Sequence, residues 1–172
     1  MHTVRIVVMG PSGCGKSTVG RALAERIGAT FVDADDLHPL TNVEKMAAGI
    51  PLDDADRMPW LGVVGTTLAA HGRIVVACSA LRKAYRDAIR AEAPDTFFAE
   101  LRVDRDELER RMRRRPGHFM PAALLDSQLE TLEPVEPDEW GARVAPGDVV
   151  AQVTAIEDAV GAGVRGSDQS LR

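Results

Sequence analysis

Glycines, a lysine and hydroxyl residues crowd together in Gly10-Pro11-Ser12-Gly13-Cys14-Gly15-Lys16-Ser17-Thr18, a combination suited to holding phosphate. The segment satisfies the pattern G-x-x-x-x-G-K-[ST] at every fixed position. Glycines let the backbone turn tightly with its N–H groups pointing inward, where they and a helix N-terminus can bind phosphate oxygens. Lys16 is expected to reach the β- and γ-phosphates of ATP, and the Ser17 hydroxyl to take a place around Mg²⁺. Gly13, Cys14, Gly15, Lys16, Ser17 and Thr18 are thus the expected nucleotide-binding positions. Such a loop alone does not separate a kinase from a GTPase, a motor or a regulator.

The acceptor side has to decide. Transfer of a phosphoryl group depends on in-line positioning and charge neutralisation, so a kinase needs a carboxylate near the acceptor hydroxyl. Asp33 and Asp35 stand in "VDADDLHP", at the carboxyl end of an expected strand, the edge where open α/β sheets bind ligands. Their spacing of two predicts side chains on one side of an extended segment. Asp35 is the candidate base for the acceptor hydroxyl, and Asp33 the candidate to hold Mg²⁺ through water. The alternative is an acidic strand-to-helix turn with Asp36 as the helix cap.

These residues need elements to position them. Hydrophobic patterning predicts a strand over Val4–Met9 and a helix over Lys16–Ile27, whose Val19, Leu23 and Ile27 fall on one face, with Gly28 as its stop. Further buried strands are expected at 30–35, 73–80 and 96–103, and a weak fifth near 142–145. Leu61, Val64 and Leu68 mark one intervening helix, 83–94 another, and 148–160 the last. This alternation predicts an α/β fold of three layers, a parallel five-stranded sheet flanked by helices. At 172 residues one domain is expected, covering 1–160, with 161–172 as a frayed, disordered tail.

The formal charge of −5 argues against a general nucleic-acid binder. No apolar run is long enough to span a bilayer and no leader pattern opens the sequence, so no membrane partner and a cytoplasmic location are expected. Cys14 and Cys78 do not make a disulfide framework. The position of Cys14 near a helix N-terminus would favour a thiolate and a redox-sensitive loop, but two inert buried thiols are the preferred reading.

The phosphate loop, "VDADDLHPLTNVEKMAAGIPLDDADRMPWL", "CSALRKAYRDAIR" and "RPGHFMPAALLDSQLETLEP" together resemble the gluconokinases, small sugar-acid kinases with a phosphate loop. The likeness covers most of the chain to about Pro134; "EWGARVAPGDVV" matches poorly, which leaves the adenine contacts of that region unnamed. The resemblance implies phosphorylation of D-gluconate by Mg·ATP to 6-phosphogluconate, a nucleoside-monophosphate-kinase-like fold with a mobile lid at about 111–125, and a homodimer. A pocket for a polyhydroxy carboxylate should mix the acceptor Asp35 with donors: His38, Lys45, Arg57, Arg86 and Gln128. Arg57 and Arg86 are the expected clamps, since a guanidinium grips a carboxylate through two parallel hydrogen bonds. Surface ion pairs with Asp56 or Asp87 are the alternative for these arginines, and a structural turn role for His38. By the same likeness, Arg111 faces the adenine and Arg115 neutralises charge on the transferring group, while Arg110, Arg113 and Arg114 are solvated or paired with Glu107 and Glu109. A shikimate-kinase-like enzyme would show a glycine triplet where "VVACSALR" stands. A non-catalytic nucleotide-binding regulator would have no need of Lys16, Asp35, Arg111 and Arg115 together.

Overall fold

The computed structural model describes the backbone of residues 2–114 and 122–169 and the side chains of residues 2–114 and 125–163. Five strands, β1 (Val4–Met9), β2 (Thr30–Asp33), β3 (Arg73–Ala77), β4 (Phe97–Leu101) and β5 (Gly141–Val144), form one sheet. Their order is β2-β3-β1-β4-β5, and every pairing is parallel. The connections carry α1 (Lys16–Ile27), α2 (Leu40–Ala47), α3 (Asp54–Ala69), α4 (Lys83–Glu92), α5 (Arg105–Arg113) and α6 (Ala122–Thr131), and α7 (Val149–Gln169) follows β5.

Side chains alternate across the strands, and both faces are covered. Val7, Met9, Ile74, Val76 and Phe98 meet Trp60, Leu61, Val64, Leu68, Tyr85 and Ile89 of α3 and α4. Ile6, Val8, Val75, Phe97, Ala99 and Leu101 meet Val19, Leu23, Leu108, Leu125, Val153 and Ile156 of α1, α5, α6 and α7. Burial on two sides is why these strands read as continuous apolar runs rather than alternating ones. It also leaves the carboxyl ends of β1, β2 and β3, with the loops that follow them, as the edge available to a ligand.

The sequence expectations fail in two places. Asp33 and Asp35 do not share an extended segment: β2 ends at Asp33, and a 3₁₀ turn over Ala34–Leu37 follows. The cap of that turn is Asp33, not Asp36, because the Asp33 side chain accepts from the Asp35 amide, a local bond that competes successfully with strand extension. The last helix runs to Gln169, through much of the stretch expected to fray. Gly161 and Gly163 are helical positions here rather than breakers. A Cβ at Gly163 would overlap the Trp140 ring, so that glycine admits the indole, which also meets Phe97 edge-on at 5.0 Å. Among the described residues no helix is long and apolar enough to cross a membrane.

One internal ion pair dominates the region between α4 and β5. Arg86, fully buried, faces Glu139, 4% exposed, at 2.8 Å. Its remaining donors go to the carbonyls of Ala80, Glu133 and Pro134, and Arg90 adds a second contact to Glu139 at 2.8 Å. Burial pushes the Glu139 carboxyl up, but hydrogen bonds from Arg86, the Glu136 amide and Arg90 win and hold it at about 2. A carboxyl depressed in the folded state contributes stability above its unfolded value, and that contribution is lost as pH falls from the ordinary glutamate range toward 2. Glu139→Ala would strand a buried guanidinium. It is expected to lower unfolding free energy near pH 7 by about 3–5 kcal/mol, read as a shifted urea midpoint with an unchanged m-value.

Candidate active site

The loop between β1 and α1 takes its shape from Gly10, Gly13 and Gly15, whose φ angles of 148°, 82° and 91° are unfavourable for residues with a Cβ. Gly15 is the N-cap of α1 and offers no side chain to it, so the first amides of the helix lack a side-chain cap and suit an anion. Lys16 opens that helix. Its ammonium makes no ion pair among the described residues.

Two contacts brace the loop from outside. The Ser12 amide donates to Gln128 Oε1 at 2.8 Å, and Gln128 Nε2 donates to Ser12 Oγ at 3.2 Å. Gln128, expected in the acceptor pocket, therefore clasps the phosphate loop from α6. Arg111 Nη1 donates to the carbonyls of Gly13 and Cys14 at 3.4 and 3.3 Å, while its Nε is held by Glu107 at 3.0 Å. Arg111 lies across the loop rather than standing off at a base.

It still lines a cavity of about 480 Å³ with Gly13, Cys14, Gly15, Thr18, Val19, Arg114, Gly147, Asp148, Val149 and Gln152. That cavity opens directly beside the helix N-terminus and has room for a nucleotide base and sugar. Gly147, Asp148, Val149 and Gln152 come from the start of α7 and the loop before it, where sequence reasoning named nothing. Arg114 was expected to be solvated or paired and instead faces this space. Arg110 and Arg113 pair with Glu107 and Glu109. Arg115, with residues 115–121 of the expected lid, lies outside the described residues.

On the other side of the loop, Ser17 Oγ donates to Asp33 Oδ2 at 3.1 Å. This bond ties the phosphate loop to the acidic end of β2 and brings together the two hard oxygen donors expected around Mg²⁺. Asp35 follows on the 3₁₀ turn. It is exposed by surface area, yet enclosure by the cleft walls raises its carboxyl above the ordinary value, the Asp33 charge raises it further, and Lys16 and His38 pull it back.

His38 stacks on Trp60 with ring centroids 4.1 Å apart and planes 15° apart, and the Trp60 indole N–H donates to the Ala34 carbonyl at 2.7 Å. Trp60 is a wall that fixes the turn. Asn42 Nδ2 donates to His38 Nδ1 at 3.2 Å, which puts the proton of the neutral imidazole on Nε2. Burial lowers the His38 pKa and Arg57 lowers it further, against Asp35, which raises it. A neutral imidazole with a directed N–H is a hydroxyl-binding group. Arg57 Nη1 donates to the Tyr85 hydroxyl at 3.0 Å, with no carboxylate partner among the described residues.

Two expectations are corrected here, and the alternative for Cys14 is decided. Arg86 cannot clamp a ligand, because its guanidinium is wholly committed inside the protein as described above. Its partner is Glu139, not the neighbouring Asp87. Lys45 is paired with Asp56, its Nζ lying 2.8 Å from both carboxylate oxygens, and Asp56 also closes the capping box of α3 with Asp53. Cys14 is not a thiolate: burial raises its pKa more than Lys16 and Arg111 lower it, and burial pushes Cys78 up to about 12.

The arrangement can bind a polyphosphate in the loop and present a carboxylate and an imidazole N–H to a hydroxyl compound beside it. A family model described as an AAA domain matches residues 6–135. The chain is 48% identical to a gluconokinase of Gluconobacter oxydans (strain 621H), over 81% of each sequence. The crystal structure of a gluconokinase from Sinorhizobium meliloti 1021 superimposes with a TM-score of 0.89 at 41% identity, covering 99% of this chain and 98% of that one. Shikimate kinase from Acinetobacter baumannii, at 19% identity and a TM-score of 0.61, shares the fold alone.

Proposed function

The chain belongs to the gluconokinase family, and on that premise we propose that it transfers the γ-phosphoryl group of ATP to D-gluconate, giving 6-phosphogluconate. The observation that carries this reading is the Ser17–Asp33 bond of 3.1 Å, which joins the phosphate-binding loop to the acidic turn bearing Asp35.

The chemistry follows from that junction. Backbone amides of Gly13–Thr18 and the Lys16 ammonium take up charge on the β- and γ-phosphates, where it grows during transfer. Ser17 would hold Mg²⁺ directly and Asp33 through water; when bound, the ion would neutralise and orient the phosphate oxygens. Asp35 accepts the proton of the acceptor hydroxyl and aims the oxygen in line. His38 Nε2–H donates to a neighbouring hydroxyl, and Arg57 to the carboxylate end. Arg111 holds the loop and walls the nucleotide cavity, and Arg115 is the residue assigned to neutralise charge on the moving group.

An acceptor screen with Mg·ATP tests this. Gluconate is expected to support ADP release well above any of shikimate, other aldonates or nucleoside monophosphates. ADP release that ignores every sugar acid would leave an ATPase or a regulator in place of a kinase.

A further inference from the structure

We propose that Arg82, which opens α4, is the second jaw of the acceptor's carboxylate clamp, with Tyr85 as the platform it shares with Arg57. The inference rests on the gluconate reading above and assigns a specificity-determining residue within that site.

Two guanidiniums converge on one ring. Arg57 Cζ lies 5.7 Å and Arg82 Cζ 5.9 Å from the centroid of the Tyr85 ring, within reach of its π-face. The platform itself is immobile. Tyr85 is 5% exposed, its hydroxyl donates to Asp54 Oδ1 at 2.6 Å and accepts from Arg57 at 3.0 Å. The segment carrying Arg82 is held from below, since Arg86 grips the carbonyl of Ala80, a non-glycine residue at φ 43° that needs such support.

Like charges gathered at one ring repel, and a protein ordinarily offsets them with its own carboxylates. Here none of the carboxylates of α3 and α4 pairs with either guanidinium, although Asp54 bonds the Tyr85 hydroxyl that Arg57 also bonds. Asp54 accepts from Tyr85, Asp56 holds Lys45, Asp53 caps α3, and Asp87 contacts Lys83 and Arg90. Among the described residues neither Arg57 nor Arg82 forms a salt bridge. The pair is left for an anion brought from outside, and two planar guanidiniums suit a carboxylate.

Position favours the carboxylate over a phosphate. His38 follows Asp35 at the end of the 3₁₀ turn and stacks on Trp60, Arg57 stands one turn before Trp60 on α3 and reaches Tyr85, and Arg82 lies over the same ring, so contacts connect Asp35 through His38 and Arg57 to Arg82. In gluconate the hydroxyl that receives the phosphoryl group and the carboxylate are at opposite ends of a six-carbon chain. A base at one end of this series and a cationic pair at the other suit that arrangement, with the His38 N–H between them for an intervening hydroxyl.

The test compares gluconate with D-glucitol, a neutral polyol of the same length in which the carboxylate is replaced by a hydroxymethyl group. In Arg82→Gln the ratio of kcat/KM for gluconate over glucitol is expected to fall about ten- to a hundredfold, the worth of one charge-assisted contact pair, with the loss carried by KM for gluconate. Arg82→Lys should recover part of it, since a point charge replaces a planar fork. A KM for gluconate within about threefold of the parent, or equal losses on both acceptors, overturns the inference alone. A parent enzyme that ignores gluconate overturns the functional reading and this inference with it.

Discussion

Asp35→Asn should reduce kcat with gluconate by about a hundredfold or more while leaving the fold intact, a general-base contribution at the usual scale. The amide retains the size and a hydrogen-bond acceptor of the carboxylate but cannot take the hydroxyl proton. Binding should change less than turnover, because the wall made by Trp60 and His38 and the cap made by Asp33 do not depend on the Asp35 charge. The sign of the stability effect separates this outcome from unfolding. A carboxyl raised in the folded state is one whose ionised form the native structure disfavours, so above that raised value the native state gains by losing the charge. Asp35→Asn is therefore expected to melt at the parent's Tm or slightly above it, as sites tuned for function often do. The same raised pKa sets the pH dependence: the acid limb of kcat/KM should lie above the ordinary aspartate range, and Asp33→Asn should move it down by removing a like charge. Turnover of Asp35→Asn within a few-fold of the parent would remove Asp35 from the chemistry.

How far the sequence could be read depends on how local the determining contacts are. The phosphate loop and α1 were legible in full, because the glycine spacing, the apolar face of Val19 and Leu23 and the stop at Gly28 are all set within the segment itself. The strands were legible because burial on both faces leaves a continuous apolar signal. Arg86 was misread because the residue that claims it, Glu139, lies fifty-three positions away and no pattern around either announces the pair. Lys45 was misread for a similar reason: its partner Asp56, eleven positions away, had been weighed only against the neighbouring Arg57. Arg82 carried no signal of its own in the sequence; only the packing of α3 on α4 sets it and Arg57 against Tyr85. The Asp33 and Asp35 pair shows the converse. A period-two argument assumed an extended chain, whereas the short Asp33 side chain had a stronger local option in capping the next turn. Asp33 consequently meets Ser17 and Asp35 stands one turn beyond, a division of labour that strand periodicity did not predict.

Lys16→Ala is expected to have the largest effect, a loss in kcat on the order of a thousandfold, comparable with removing other cations that stabilise a transferring phosphoryl group. Among the described residues, two neighbouring cations are committed elsewhere. Arg111 spends its guanidinium on the Gly13 and Cys14 carbonyls and on Glu107, and Arg57 sits beyond His38 on the acceptor side. The backbone amides would still bind phosphate, because the loop's conformation is set by glycines and by the Gln128 and Arg111 braces rather than by Lys16. ATP affinity should accordingly fall less than turnover, about tenfold or below, since one exposed charge contributes modestly to the ground state and far more where charge develops. Lys16 also lowers the Asp35 pKa. Its removal should shift what activity remains to higher pH, as a less ionised base demands. Single-turnover kinetics with saturating ATP across a pH series would read both effects, and a Lys16→Ala enzyme with parental kcat and an unmoved acid limb would contradict both.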